Sequence, residues 1–429
     1  LSSIHVLPNT RWAILLVVVL FAICSFVLFW RRRSDIKSYL SGNKSTIVAT
    51  EAIFVSAFII YAFIRSYSPD IAYTEKPMDF AFLNAIMRTD YFPPHDPWLS
   101  GFTLNNYYFG HMIMATLTKF TGVSTAVSFN LSLALIFALA AAGAFSIVYN
   151  LVKMCHKGIR TAIVFGAIAA GFLLVLGNLE GALEMGYAHG MGSEGFWSWV
   201  GINGLQTPYS SSHWYPSQYW WWWHASRVIS PVGGIDTITE FPFFSFLLGD
   251  LHAHLLALPF ALMSLAVTLN VFAAKEPLGL GWLKKNLAPF ILMLVCVGAL
   301  GAIHTWDLLI YLFIMVAAVW IQTRIRHSTE RWWKGWGLIA GFATAGALLF
   351  YLPFYLNMSS PVNGISLWKG PDARILHQVI LWGVFLFIGG SFIVARLRAI
   401  SKRSLWRVSA ITAGAVFLLW AVWAIAVAA

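Results

Sequence analysis

Apolar runs of about 20 residues recur along almost the whole chain, and they leave few folds open. Such a run, as α-helix, crosses the ~30 Å hydrocarbon core of a bilayer. Inside that core every backbone polar group must find a partner within the protein, so the run becomes a helix. Ten spans are predicted, at roughly 11–30, 46–66, 124–152, 161–178, 252–274, 287–304, 306–323, 335–355, 374–395 and 407–427. With 59% hydrophobic and 10% charged residues, the composition is that of an integral membrane protein. The expected fold is an all-α polytopic membrane protein.

Charge tests that count, because alternate loops should be rich in lysine and arginine. Loops 31–45, 153–160, 275–286, 324–334 and 396–407 hold 20 of the 28 basic residues, which assigns them to the cytoplasm. The net charge of +11 then calls for no nucleic-acid partner. Across the membrane fall 13 of the 17 acids and 10 of the 12 histidines, so the chemistry is expected there. The expected location is the cell membrane, multi-pass, with the N-terminus and both long loops extracytoplasmic. Cys24, Cys155 and Cys296 show no metal-ligand spacing and read as packing residues. The first span ends in Arg31-Arg32-Arg33, the wrong charge order for a cleaved signal peptide.

Two outward segments, 67–123 and 179–251, are too long for plain connections and should fold over the outer mouth. In the first, Pro77 suits the opening turn of a short helix to about Thr89, Pro93-Pro94 breaks it, and a second short helix follows at about 105–120. The second is rich in Gly, Ser and Trp and reads as a lid or docking surface. The organisation expected is an N-terminal helix and loop (1–45), a membrane domain (46–395) and a C-terminal helix (396–429).

Asp79 opens the apolar stretch DFAFLNAI, with Glu75 and Lys76 just before it. A carboxylate there can act as general base or bind a divalent cation, or simply favour the helix dipole. Asp250, His252 and His254 form D-x-H-x-H at a helix mouth, a donor set for a divalent metal such as Mg, Mn or Zn. On a helix, however, i and i+2 side chains diverge by about 200°, so they share a ligand only if the segment is extended. His304, Trp306 and Asp307 lie in a short turn on the same side and either complete the site or cap a helix. Trp220 to Trp223 suit sugar rings, polyprenyl chains or the membrane interface. Arg227 is one of eight outward cations and a candidate phosphate holder, with Lys76 as a second.

The stretches EKPMDFAFLNAI (75–86), FPPHDPWLSG (92–101), NNYYFGH (105–111), SRVI (226–229), TEFPFFSFLLGDLHAHLLALPF (239–260), HTWDL (304–308) and YLPFYL (351–356) resemble the uncharacterised membrane proteins called the YYY family. Where that family carries three tyrosines, this chain has Asn106-Tyr107-Tyr108. The family is in turn similar to the GT-C membrane glycosyltransferases, in which an outward loop after an early helix carries an acid at the start of a juxtamembrane helix. The resemblance implies a GT-C-like fold and transfer of a sugar from a polyprenyl-phosphate donor. It implies Asp79 as the catalytic acid, with Glu75 as the nearest substitute; the residues themselves add Asp250 as a second acid, Arg227 and Lys76 on the donor phosphate, and Tyr107, Tyr108, His111, Glu240, His304, Trp306 and Asp307 lining the substrate. Its partners would be membrane lipids and the polyprenyl-phosphate sugar. The rival expectation is a non-catalytic scaffold for a larger membrane complex, using the Trp-rich segment as its contact.

Overall fold

The computed structural model describes residues 2–105, 107–205, 207, 209–229, 237–326, 332–359, 373–397 and 414. Among them the chain is helical, without strands; two isolated bridges, His95–Thr103 and His189–Ser210, are its only sheet-like pairings. The helices are α1 (Arg11–Arg31), α2 (Arg33–Gly42), α3 (Lys44–Ser66), α4 (Lys76–Arg88), α5 (Tyr108–Thr121), α6 (Thr125–Met154), α7 (Ile159–Val175), α8 (Glu180–Ala188), α9 (Glu194–Val200), α10 (Pro242–Leu248), α11 (Ala253–Phe272), α12 (Leu280–Lys285), α13 (Leu287–Ile303), α14 (Thr305–Arg326), α15 (Trp332–Leu349), α16 (Leu352–Tyr355) and α17 (Ile375–Leu397). Six of them, α1, α3, α6, α11, α14 and α17, are long and apolar enough to cross a membrane, and α7 makes a seventh only together with α8. Of the other predicted spans, α13 is apolar but has 17 residues, the stretch at 335–355 is divided between α15 and α16, and 407–427 lies outside the described residues.

The chain divides into two compact units, one of residues 1–175 and 245–361, the other of 176–244 and 362–429. In the first, α6 is central, packing on α3, α7 and α11. Contacts at both of its ends show that α3 and α6 are antiparallel. Thr46 meets Tyr149 at 2.6 Å, hydroxyl to hydroxyl, and at the other end the Arg65 guanidinium donates to Asn130 Oδ1 at 2.7 and 3.0 Å. α11 starts beside Arg65, since a Cβ on Gly249 would lie 2.7 Å from the Arg65 Nη1. It therefore ends on the side of Lys44 and Met154, where Gln322 at the end of α14 donates to the carbonyls of Ala274 and Glu276 at 3.0 and 3.1 Å. The lysine- and arginine-bearing connections next to α3, α6, α11 and α14 thus share one end of this unit. The acid- and histidine-bearing helix starts share the other.

The lipid-facing character is plain in α1, whose spanning window is apolar all round with no residue buried within the chain. Lipid is as apolar as leucine, so association of such helices depends on close packing and polar contacts more than on hydrophobicity. Gly110 supplies one close approach: a Cβ there would come within 2.9 Å of Leu256 Cβ and 3.2 Å of Ile303 Cγ2, so α5 can lie against α11 and α13.

The second unit has a small core of its own. Tyr187, Trp197, Val200, Ile202, Leu205 and Val228 pack with Ile380 and Leu381 of α17. Its Trp-rich segment is therefore folded through its own side chains: Trp197 is fully buried, while Trp199 and Trp214 stay exposed.

Candidate functional site

Six helix ends converge at the acidic end of the first unit: the C-terminus of α3, the starts of α4, α5 and α11, and the two ends joined by the turn from α13 to α14. Helix starts gather carboxylates because their unpaired N–H groups and dipole favour negative charge. In α4, Pro77 sits in the first turn, Asp79 is its acidic residue, and Glu75 is the N-cap. The predicted short helices of the first long segment are present as α4 and α5.

Asp79 is 1% exposed and reaches the α5 histidine: His111 Nε2 lies 3.3 Å from its Oδ1. The other ring nitrogen, Nδ1, contacts the Tyr107 carbonyl at 3.3 Å, and a carbonyl can only accept, so Nδ1 carries a proton. Nε2 approaches the Asp79 carboxylate at ion-pair distance but makes no hydrogen bond. The second oxygen, Oδ2, is buried without a hydrogen-bond partner.

Asp250, 3% exposed, is held by the loop preceding α4. The Thr74 hydroxyl donates to Oδ1 at 2.8 Å and the Glu75 backbone N–H to Oδ2 at 3.3 Å. Burial pushes this carboxyl up to about 6; the Thr74 bond opposes that, the Asp79 charge adds to it, and Lys76 and the Glu75 N–H oppose it. Burial also lowers the Lys76 ammonium from its ordinary value, against the pull of Asp250.

His252 is the extended N-cap of α11, and its Nδ1 lies 3.2 Å from Glu75 Oε2. Its ring is 4.9 Å from that of His254, whose Nε2 meets Ser245 Oγ at 2.9 Å. The D-x-H-x-H segment is thus extended through His252, but the oxygens of Asp250 point to Thr74 and Glu75. Tyr107, left-handed at φ 58°, stacks on the His304 ring at 6.2 Å, and His304 Nδ1 is 3.2 Å from Asp307 Oδ1. Trp306 is half exposed. Asn106 lies outside the described residues.

The structure thus brings together Glu75, Lys76, Asp79, Tyr107, His111, Asp250, His252, His254, His304 and Asp307. The two aspartates are buried, and the accessible edge is the Glu75–His252 pair, with side chains 50% and 34% exposed. Tyr108, one turn before His111, stacks instead on Phe92 at 6.0 Å. With Phe109, Met112, Tyr351 and Phe354 it lines a groove of about 430 Å³. α5 therefore carries the neighbour of Asp79 and an aromatic groove on adjacent faces.

Sequence reasoning missed Arg65, which is buried and bound through two nitrogens to Asn130. Its signal was available: an arginine closing an apolar span on the side where acids outnumber bases. Thr74, an anonymous loop residue in the sequence, was missed for want of any such signal. Arg227 and Glu240 belong to the second unit. There the Arg227 guanidinium lies 4.2 Å over the Trp223 ring and donates to Ser226 Oγ at 2.6 Å. Glu240 sits in the extended stretch before α10.

The chain belongs to the uncharacterized membrane protein family DUF2298, whose profile matches residues 1–429. No curated protein and no solved structure matches it.

Proposed function

We propose that the protein is a GT-C-like glycosyltransferase with ten membrane spans, acting on a polyprenyl-phosphate sugar at the extracytoplasmic face of the cell membrane. The observation that carries this reading is that two buried aspartates from distant parts of the chain lie at one end of the first unit, Asp79 beside His111 and Asp250 held by Thr74. The resemblance of the surrounding motifs to the YYY family, and of that family to GT-C enzymes, supplies the reaction.

In this mechanism Asp79, oriented by His111, takes the proton of the acceptor hydroxyl. The acceptor oxygen bonds to the anomeric carbon as the bond from that carbon to the phosphate oxygen breaks, with inversion, and the electron pair leaves on the polyprenyl phosphate. Lys76, at the start of α4, would offset the leaving charge. Asp250, with a carboxyl near 6, suits proton transfer near neutral pH. The groove beside Tyr108 and Phe109 offers the polyprenyl chain an apolar, lateral approach. Mg, Mn or Zn at Asp250, His252 and His254 would supply charge neutralisation. Each Asp250 oxygen already accepts one hydrogen bond, from the Thr74 hydroxyl and from the Glu75 N–H.

The test is transfer of labelled sugar from polyprenyl-phosphate donors by the purified chain in proteoliposomes. Activity that disappears in Asp79→Asn and Asp250→Asn supports the reading; a folded protein that turns over no donor removes it. The burial of both aspartates favours a second reading, a scaffold subunit in which this cluster locks helix ends together. That reading expects wild-type and Asp79→Asn chains to be equally inactive and the exposed Trp199 and Trp214 to be covered by a partner membrane protein.

A further inference from the structure

In the second unit, two glutamates and a histidine come together without serving any role assigned above. Glu180 and Glu184 stand one turn apart on α8, so both face the same way, and each is 1% exposed. His224 comes from the short 3-10 helix Trp221–Ser226, and its Nδ1 lies 2.9 Å from Glu184 Oε2. One donor atom from each of the three residues falls within 4.8 Å of the others.

The position of His224 is fixed from two sides. A Cβ on Gly204, which has φ +91°, would lie 2.2 Å from His224 Nε2, so only a glycine leaves room for the ring. Asn178 ties the two ligand-bearing helices: its Nδ2 donates to the Ala225 carbonyl at 2.7 Å, and its Oδ1 accepts from the Glu180 N–H at 3.1 Å.

What is missing is positive charge. Among the described residues neither glutamate has an ion pair with lysine or arginine, and Glu180 Oε1 is buried with no hydrogen-bond partner. Two buried carboxylates side by side are costly unless a cation or a proton stands between them. A single shared proton could relieve the repulsion within the pair, but it would leave Oε1 unsatisfied. A cation satisfies both carboxylates and uses the imidazole as well.

We propose that Glu180, Glu184 and His224 bind one divalent transition-metal ion, of the Zn²⁺ or Mn²⁺ class. Mixed carboxylate and imidazole donors suit these ions, whereas Ca²⁺ and Mg²⁺ prefer oxygen alone. The ion clamps the tryptophan-bearing 3-10 helix to α8, and so holds the Trp220–Trp223 cluster in shape. This assignment stands whether or not the protein transfers sugar, because none of the three ligands belongs to the acidic site of the first unit.

The test uses the full-length chain in detergent, stripped with a chelator and titrated with Zn²⁺ and Mn²⁺ while bound metal is measured by elemental analysis. One ion per chain is expected, with X-ray absorption showing a nitrogen and oxygen shell that contains a single imidazole. Glu184→Gln and His224→Ala should weaken binding by about 100-fold or more, and a change at exposed His213, His213→Ala, should leave it unchanged. A folded wild-type chain that takes up no metal overturns the proposal and leaves the shared proton as the explanation. A shell containing two imidazoles, or undiminished binding in folded Glu184→Gln and His224→Ala chains, overturns it by moving the metal elsewhere. The wild-type titration and spectrum decide the matter even if the ligand variants fail to fold.

Discussion

Thr74 donates its hydroxyl proton to Asp250 at 2.8 Å across 176 residues of sequence, and this bond fastens the loop before α4 to the mouth of α11. The same loop gives its Glu75 N–H to the other carboxylate oxygen, so Asp250 is gripped at both oxygens by one short segment. With the Glu75–His252 contact, these bonds hold the starts of α4 and α11 in register. Hydrogen bonds to charged groups contribute roughly 1.5–3 kcal/mol each. Thr74→Val should therefore lower thermal stability by about 1–3 kcal/mol and raise the Asp250 titration, because the bond it removes favours the ionised form. A melting curve in detergent and a pH titration of the variant check both effects together.

The Asp79–His111 pair leads to a prediction about activity. Asp79→Asn keeps the shape of the side chain but removes the base, so sugar transfer should fall by ~10²-fold or more if Asp79 accepts the hydroxyl proton. Exposed Asp90, on the loop after α4, serves as control, and Asp90→Asn should stay near wild type. Full transfer by a folded Asp79→Asn chain would show that the base lies elsewhere.

Asp250 predicts a pH dependence with a definite sign. Its carboxyl is raised from 3.8 to about 6, so the folded chain holds a proton there that the unfolded chain has already lost. Its contribution to stability is fully present below about pH 4 and is lost as pH rises through 6, a change on the order of 2–3 kcal/mol. Catalysis runs the other way if the ionised form is needed, with the rate rising through an apparent pKa near 6. Lys76→Met removes a cation that lowers the Asp250 value, so that limb should move to higher pH. Its movement to lower pH would contradict the arrangement.

How much of this was legible beforehand differs from residue to residue. The helices α4 and α5 were readable because Pro77, Thr89 and Pro93 mark their limits by local chemistry. Asp79 and Asp250 stood out because a charge beside an apolar run demands a reason. Their partners did not: nothing local distinguishes Thr74 from any loop threonine, and only the tertiary fold brings it to Asp250. The span count was legible only for the longest runs, since α13 and α15 rely on neighbours for burial and mix their apolar residues with Gly, Ala or Trp. Glu180 and Glu184 were assigned to a side of the membrane by loop parity but not to each other or to His224, whose approach depends on the turn at Gly204.

Orientation in the membrane is open to direct labelling. The ends of α3, α6, α11 and α14 that carry the basic connections lie together, opposite the acidic helix starts, and basic loops are retained in the cytoplasm. A cysteine replacing Ser193, next to the acid-bearing α9, should react with an impermeant thiol reagent added outside intact cells, and one replacing Ser328 should not. The reverse labelling would put the aspartates on the cytoplasmic side and exclude a donor presented on the outer face.

Arg65 and Asn130 offer a last test, of whether the α3–α6 clasp sets the position of the acidic site. Arg65 donates from both Nε and Nη2 to a single amide oxygen, and Asn130 in turn donates to the Pro69 carbonyl at 3.0 Å, tying the end of α3 to the start of α6 and to the chain leaving it. Lysine keeps the charge but has one nitrogen on a flexible stem and cannot form this fork. Arg65→Lys should therefore destabilise the protein by about 1–3 kcal/mol. Asn130→Leu should cost a similar amount, and the double variant should cost clearly less than the two together, since each single change already breaks the same contact. Thermal or denaturant unfolding in detergent gives all three values. Additive losses would mean that Arg65 acts through something other than Asn130, its packing against Gly249 being the first candidate.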